Sequence, residues 1–574
     1  MGQGNRIPYA LTNFESIRTE NYLYVDKTRF IELLENEATK YQFLIRPRKF
    51  GKTLFASVLE HYYDLRFADK FEELFGDLYI GQHPTAKKNS YFVIKFNFSG
   101  LDTSNVESFK ISFTESIRSN IDFFFIDHQD IFKNVPDLQK ELSPRSTVKA
   151  YIEYAFSIIK SYGKKAYVII DEYDHFANDM IARGTPLSKN QYQESIWANS
   201  ITKDFYETLK IGAESVVDKI FVTGITPVML DDLTSGFNIS SNLSLELEYN
   251  EILGLTRHEV EWVMEQIGLD RSLISLDIEE MYDGYLFNKH ASGKLFNSTM
   301  IFHYFTGLLK NKERLEDLID ANLKTDYGRI HNLINRHDNK EKLRSLIENN
   351  FIKGEVIKQF SIERIHEEEN FFSLLFYLGL VTIDNTNPYR IGLKIPNYSI
   401  QTMYWGFIKN MLTDELEGLS LDSSRYQDPI YYLAYENDYQ PFFKYFSEWI
   451  VRYLSNRDLQ ETVEKDIKFL LLPLFFESKY YLPISEIENS EGYTDIYLSR
   501  SHLHPGAISE WVWEIKYVMQ RDAKKKSLIA AKKQEAIEQL QRYKRSNLFK
   551  DKTDVRFLSV VFIGKKDYII EEIK

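Results

Sequence analysis

The chain has 574 residues, with 71 Lys and Arg against 84 Asp and Glu, a formal net charge of −13, and no cysteine. That charge argues against a protein that coats nucleic acid indiscriminately, though it leaves room for a local basic groove. The lack of thiols excludes disulfides, thiolate zinc sites and cysteine nucleophiles.

At 43% hydrophobic and 15% aromatic the sequence can build large cores, and its length implies three or four of them. The first residues, Met1 to Pro8, carry no apolar signal segment, and no window approaches a membrane-spanning length. Cytoplasmic residence, with no membrane partner, is therefore the default expectation. The run Asn21-Tyr22-Leu23-Tyr24-Val25-Asp26-Lys27-Thr28 reads as a strand or turn, with Asp26 or Thr28 suited to cap a helix from Arg29.

The apolar run Phe43 to Ile45 stops at a proline-containing turn, and a helical pattern restarts after Thr53. Strand, loop and helix around Gly51-Lys52-Thr53 is the layout of a phosphate-binding loop. Gly51 lets the backbone come close to an anion, Lys52 reaches the terminal phosphates, and the Thr53 hydroxyl holds Mg²⁺. The following helix turns its first N–H groups toward the nucleotide. The standard G-x-x-x-x-G-K-[ST] spacing would put a glycine where this chain has Arg46. On this stretch alone an ordinary basic turn stays open.

Tyr91 to Phe98 reads as a further strand, followed by helical patterns over 104–125 and 147–161. The buried-strand run Tyr167 to Ile170 then ends in Asp171-Glu172. Carboxylates at the C-terminal end of such a strand lie on the edge where open α/β sheets bind ligands. There Asp171 contacts Mg²⁺ through water and Glu172 polarises the attacking water. Lys219 to Thr226 is another strand ending in small and hydroxyl residues, with Thr223 or Thr226 as a γ-phosphate sensor or, equally, a strand cap. The alternation predicts a doubly wound parallel sheet.

The segments Arg46-Pro47-Arg48-Lys49-Phe50-Gly51-Lys52-Thr53, Ile170-Asp171-Glu172-Tyr173-Asp174 and Phe221-Val222-Thr223-Gly224-Ile225-Thr226-Pro227 together resemble the bacterial AAA-ATPase-like family. Its usual loop is R-P-R-R-F-G-K-S, so Arg46 is the family's own variant. The resemblance implies an α/β architecture: a P-loop NTPase parallel sheet, a helical lid, a winged-helix-like region and a PD-(D/E)XK nuclease-like α/β domain. We place these at 1–250, 251–350, 351–425 and 426–574. It also implies ATP and Mg²⁺ as cofactors, with Arg46, Arg48, Gly51, Lys52, Thr53, Asp171 and Thr223 around the nucleotide.

Met281-Tyr282-Asp283-Gly284-Tyr285 matches a signature of the family, and we read it as a packed turn. The apolar helix from Asn370 to Leu380 is followed by two strand-like runs, the way a winged helix closes. It lacks a Lys/Arg face, which favours a spacer over a DNA reader.

The second chemical centre lies in the last 150 residues. On Glu510 to Val518, Glu514 and Lys516 are two apart and share a strand face, while Asp495 opens a preceding strand. An acid followed by E-x-K is the core of the PD-(D/E)XK pattern, with Asp495 and Glu514 on Mg²⁺ and Lys516 orienting water or neutralising the scissile phosphate. The alternative is an ordinary Glu–Lys pair on a wet face. Related nucleases carry a further metal-ligand acid where Glu464 stands, and the Q-x-x-x-Y spacing of Gln539 and Tyr543 occurs in recombination-type members. A basic run between Arg521 and Arg545 suits phosphate contacts. One departure is Tyr493, where the family commonly writes arginine two residues before the aspartate.

Two functions follow, beside a structural scaffold with both sites silent. One is an ATPase coupled to a Mg²⁺-dependent nuclease acting on DNA or RNA. The other is a nucleotide-dependent switch whose nuclease-like domain only binds nucleic acid or a protein partner; a homo-oligomer is compatible with both.

Overall fold

The computed structural model describes residues 6–183, 202–228, 241–270, 278–311, 319, 337–361, 364–365, 367–387, 391–415, 423–455, 464–501, 506–564 and 567–573. The chain forms two compact units, Met1–Leu343 with Phe351–Tyr398, and Arg344–Asn350 with Ser399–Lys574. Among the described residues no helix is long and apolar enough to cross a membrane.

The first unit is built on strands β1 (Tyr41–Ile45), β2 (Tyr91–Asn97), β3 (Lys165–Asp171), β4 (Val217–Gly224) and β5 (Ser241–Asn242). They pair in the order β2-β3-β4-β1-β5, every neighbouring pair parallel. Ala166 to Asp171 are all buried, which is why β3 reads as an unbroken apolar run: helices cover such a sheet on both faces. Helix Lys52–Tyr63 packs on β2, β3 and β4, helix Val106–Asp127 on β2, and helix Val148–Ser161 on β3.

The strand order matters for the site. β4 lies between β1 and β3, with Ile45 opposite Gly224 and Ile170 opposite Val222. The loop after β1, Asp171 and the end of β4 therefore meet on one C-terminal edge.

Helix Arg257–Gln266 opens on a capping box. Glu259 N donates to Thr256 Oγ1 (3.3 Å) and Thr256 N donates to Glu259 Oε2 (2.7 Å). The Met281–Tyr285 segment is a packing turn: Gly284 sits at φ 119°, and a Cβ there would lie 2.0 Å from the Pro396 carbonyl oxygen. Helix Glu368–Tyr377 runs into a hairpin of β7 (Thr382–Asp384) and β8 (Gly392–Lys394), completed by β6 (Ile352–Lys353) in the order β6-β8-β7. That is a winged-helix-like arrangement.

The second unit carries a sheet in the order β13-β12-β11-β10-β9, from β9 (Tyr481–Asn489), β10 (Gly492–Arg500), β11 (Glu510–Val518), β12 (Val555–Ile563) and β13 (Asp567–Ile573). β11 and β12 are parallel and the other pairs antiparallel. A parallel pair needs a crossover, and helix Lys526–Lys544 supplies it, packing on both strands. All nine residues of β11 are buried, so Glu514 and Lys516 do not stand on a wet face.

Candidate functional site

Two sites are built on these two sheets. In the first, the loop leaves β1 at Arg46, which is completely buried. Its Nη1 donates to the carbonyls of Ile45 (3.0 Å) and Ser244 (2.6 Å), its Nη2 donates to that of Tyr249 (2.7 Å), and its guanidinium stacks 4.0 Å over the Phe287 ring. Arg46 thus fastens the loop from behind and does not line the cleft beside it.

Other fastenings come from the lid. The Phe50 carbonyl accepts from Gly254 N (3.1 Å), that of Lys49 from Thr299 Oγ1 (3.1 Å), and that of Arg48 from Asn297 Nδ2 (3.2 Å). The loop bends through left-handed backbone at Lys49 (φ 67°) and Gly51 (φ 100°), a conformation that suits glycine at 51 before any ligand is considered.

A cleft of about 370 Å³ opens over the loop, lined among others by Arg48, Lys52, Thr53, Glu172, His175 and Thr299. Lys52 Nζ donates to the Arg46 and Pro47 carbonyls, both at 2.9 Å. Burial pushes its ammonium down to about 8, against the opposing charges of Asp171, Asp174 and Glu172. Glu172 adopts a left-handed backbone (φ 53°). Its carboxylate lies 3.7 Å from His175 Nδ1, and that histidine is the largest cause holding it below the ordinary range.

Burial raises the Asp171 carboxyl, with the Thr53 hydroxyl and the Lys52 ammonium pulling it back. Asp171 Oδ2 is buried without a hydrogen-bond partner. An unsatisfied carboxylate oxygen beside a threonine hydroxyl fits a hard cation such as Mg²⁺.

Thr223 is spent elsewhere. It is buried, its hydroxyl donates to the Leu44 carbonyl (2.8 Å) across the β4–β1 pairing, and it is not among the cleft residues. The sequence reading passed over Asp174. It accepts from Ile225 N (3.0 Å), Thr226 N (2.6 Å) and Asn178 Nδ2 (2.8 Å), with Thr226 Oγ1 at 2.9 Å. It thereby ties the end of β4 to the acidic end of β3. Its sequence signal was a third acid three residues after Asp171, close enough to reach back to the same edge.

In the second site, β10 and β11 pair with Ile496 opposite Trp513, which brings Asp495 and Glu514 face to face as a cross-strand pair. Asp495 Oδ2 accepts from Ile515 N (2.7 Å) and its Oδ1 from Lys468 Nζ (2.7 Å). Glu514 Oε1 accepts from Lys516 Nζ (2.7 Å), while Oε2 is buried without a hydrogen-bond partner. Glu514 is 1% exposed, and burial, then the charge of Asp495, pushes its carboxyl up to about 8 against Lys516 and Lys468.

Among the described residues no third His, Asp or Glu joins them in a metal-holding group. One or two carboxylates are what Mg²⁺ ordinarily takes from a protein, and the open Oε2 of Glu514 fits that role.

The flanking candidates divide. Glu464 opens helix Glu464–Ser478, but its side chain lies outside the described residues. Tyr543 is packed with Tyr497, Val512, Leu540 and Phe549, and its hydroxyl donates to the Tyr493 carbonyl (2.7 Å). It braces the start of β10. Gln539 is half-buried, and its Oε1 has no partner in the described structure.

Glu535, one turn before Gln539, lies 3.8 Å from Lys516. Of the basic run, Lys525, Lys532 and Lys533 are drawn into ion pairs with Asp522, Glu535 and Glu571. Lys524, Lys526, Arg542, Lys544 and Arg545 are exposed.

The folds and residues define a P-loop ATPase-like unit and a PD-(D/E)XK nuclease-like unit in one chain. Family comparison agrees: residues 8–234 match the predicted AAA-ATPase family and residues 462–572 the PD-(D/E)XK nuclease superfamily. The chain thus carries an AAA-ATPase-like region followed by a PD-(D/E)XK nuclease-superfamily region.

A curated relative, an uncharacterized protein in the vnfD 5′ region of Azotobacter chroococcum mcd 1, is 26% identical over 300 residues. The match covers 52% of this chain and 52% of the relative, so it spans about half the length of that protein. Among solved structures, the Walker-type ATPase PABY2304 of Pyrococcus abyssi is 11% identical, with a TM-score of 0.39, 70% of this chain and 99% of that chain covered. Cdc6p from Pyrobaculum aerophilum is 11% identical, with a TM-score of 0.21 over 68% and 92%. At those scores the fold rests on the strand order itself and on the two family matches.

Proposed function

We propose that this protein binds and hydrolyses ATP in its first unit and cuts DNA or RNA in its second, with Mg²⁺ at both sites. The observation that carries the nuclease half is the buried pair Asp495–Glu514 with a lysine on each carboxylate and one carboxylate oxygen left open. Ion pairs are rarely buried for stability alone, since desolvation offsets most of their attraction. Mg²⁺ held by Asp495 and Glu514 would activate water and stabilise the charge on the leaving oxygen. Lys516, fixed by Glu514, is placed to orient that water or to neutralise the phosphate.

In the first unit, Lys52, now on two loop carbonyls, would reach the terminal phosphates, Thr53 and Asp171 would hold the metal, and Glu172 would polarise water. The apolar recess formed by Leu23, Tyr24, Val25, Phe50, Leu253 and Leu255 shares Gly51, Leu54 and Phe302 with the cleft. It supports a reading in which the nucleoside end lies there. Glu172→Gln is expected to retain ATP affinity while turnover falls roughly 100-fold or more. Unchanged turnover, measured by phosphate release, removes Glu172 from the mechanism.

A switch with a silent nuclease domain is favoured by one observation: Tyr493, 52% exposed, stands where the family commonly has a cation near the metal site. Cleavage of single- and double-stranded DNA and RNA with Mg²⁺ or Mn²⁺, with and without ATP, separates the two readings. We expect wild type to cut, Asp495→Ala to lose cutting, and Lys52→Ala to change its ATP response. No cutting of any of the four substrates alongside intact ATPase activity supports the switch instead.

A further inference from the structure

Asp495 has two oxygens and both are occupied. Oδ2 is committed to the backbone N–H of Ile515 at 2.7 Å, a bond set by the strand geometry. Oδ1 therefore remains for a cation, and Lys468 holds it at 2.7 Å. Glu514 is the reverse case, with Oε1 on Lys516 and Oε2 open and buried. A divalent ion shared by the two carboxylates finds the Glu514 oxygen ready but meets an ammonium on the Asp495 oxygen.

The two lysines come from different elements. Lys516 belongs to the fully buried β11 and has Glu535 as a second acid at 3.8 Å. Lys468 reaches in from helix Glu464–Ser478 and keeps slightly more of its side chain exposed, 11% against 6%.

Resting on the metal-dependent nuclease reading above, we propose that Lys468 is a displaceable counter-cation of this centre, competing with the divalent metal for Asp495 Oδ1. Asp495, Glu514 and the nearby Glu535 stand against Lys468 and Lys516. A metal ion added to these groups leaves an excess of positive charge even with Glu514 ionised, in a buried site where unbalanced charge is costly. A nucleic-acid phosphate is the group that restores the balance. Lys468 therefore makes metal binding weak in the free protein and stronger with substrate, a coupling between two ligands through one side chain.

The test measures Mn²⁺ binding by electron paramagnetic resonance on the full chain without nucleotide or nucleic acid, in wild type, Asp495→Asn, Lys468→Met, Lys468→Gln and Lys468→Arg. The share of binding lost in Asp495→Asn defines the site. At that site Lys468→Met is expected to bind Mn²⁺ about 5- to 10-fold more tightly than wild type, the range of a modest coupling. Lys468→Gln keeps a polar donor without the charge and is expected to do the same, so a folding defect in the methionine variant does not decide the outcome. Lys468→Arg keeps the charge and is expected to stay near wild type.

Unchanged or weaker Mn²⁺ binding in both neutral variants, with binding still lost in Asp495→Asn, overturns this proposal alone. Equal binding in wild type and Asp495→Asn overturns the metal-centre reading and the proposal with it.

Discussion

Arg46→Gly, which turns the loop into the standard G-x-x-x-x-G-K-T, is expected to abolish ATP binding and not to improve it. The guanidinium satisfies the buried carbonyls of Ile45, Ser244 and Tyr249 and covers the Phe287 ring. Removing it strips a donor from each of those buried carbonyls, of which only that of Tyr249 is shown with another, Ile252 N at 3.3 Å, at about 1–3 kcal/mol for each buried group stranded. The added backbone freedom of glycine costs a little more. A combined loss of about 3–5 kcal/mol is in the range seen when a buried polar network is broken.

The consequence for function is positional. The carbonyls of Arg46 and Pro47 hold Lys52, and the same stretch leads into the left-handed turn at Lys49 and Gly51. Arg46→Lys is the comparator: one ammonium cannot serve three carbonyls as a planar fork does, so an intermediate loss is expected. Melting temperature and titration with a fluorescent ATP analogue read both effects. ATP affinity in Arg46→Gly equal to wild type would show that the loop stands without its anchor.

Arg46 also illustrates where the sequence was legible and where it was not. Its presence in the loop was visible, and the resemblance explained it as a variant, but its direction was not. A guanidinium in a phosphate loop has anions and carbonyls as equally good partners, and only the fold brings Ser244 and Tyr249 behind β1.

β1 and β3 were readable because buried parallel strands leave an unbroken apolar run, Asp171 and Glu172 because they end one, and Asp495 and Glu514 because an acid is followed by E-x-K on the next strand. Lys468 was hidden for the opposite reason. In Glu464-Lys465-Asp466-Ile467-Lys468 it is one charge in a helix that alternates charges, and nothing local says that this one points at Asp495. Tyr543 was found by spacing, but its packing in the core of the second unit, with its hydroxyl on the Tyr493 carbonyl, gives it a bracing role that spacing alone does not distinguish from a catalytic one.

Glu514→Gln tests whether the nuclease centre is held at the expense of stability. The variant is expected to lose cleavage and, without metal, to melt higher than wild type near pH 8. The sign follows from the direction of the shift. The Glu514 carboxyl is raised from 4.5 to about 8 in the folded protein, chiefly by burial. In the unfolded chain it ionises at its ordinary value, so below that value both states are protonated and it costs the fold nothing. As pH rises through the window the unfolded state sheds its proton first, and stability is lost progressively until the folded carboxyl also ionises near 8.

A neutral glutamine removes that penalty. The upward shift persists although Lys516 and Lys468 both favour the charged form, so the uncharged side chain suits the site even beside them. After discounting for the coupling to Asp495 and the two lysines, a gain on the order of 1–3 kcal/mol is expected at the alkaline end. It should shrink toward zero as the pH is lowered to about 4.5. Urea or thermal melts of both proteins in EDTA across that range read the difference. A gain that grows with pH marks a carboxylate kept for chemistry in a place that disfavours its charge, the stability–activity trade-off of a working metal centre. A glutamine variant less stable than wild type at every pH would assign the Glu514–Lys516 pair to holding the sheet together and would remove the physical argument for an active nuclease.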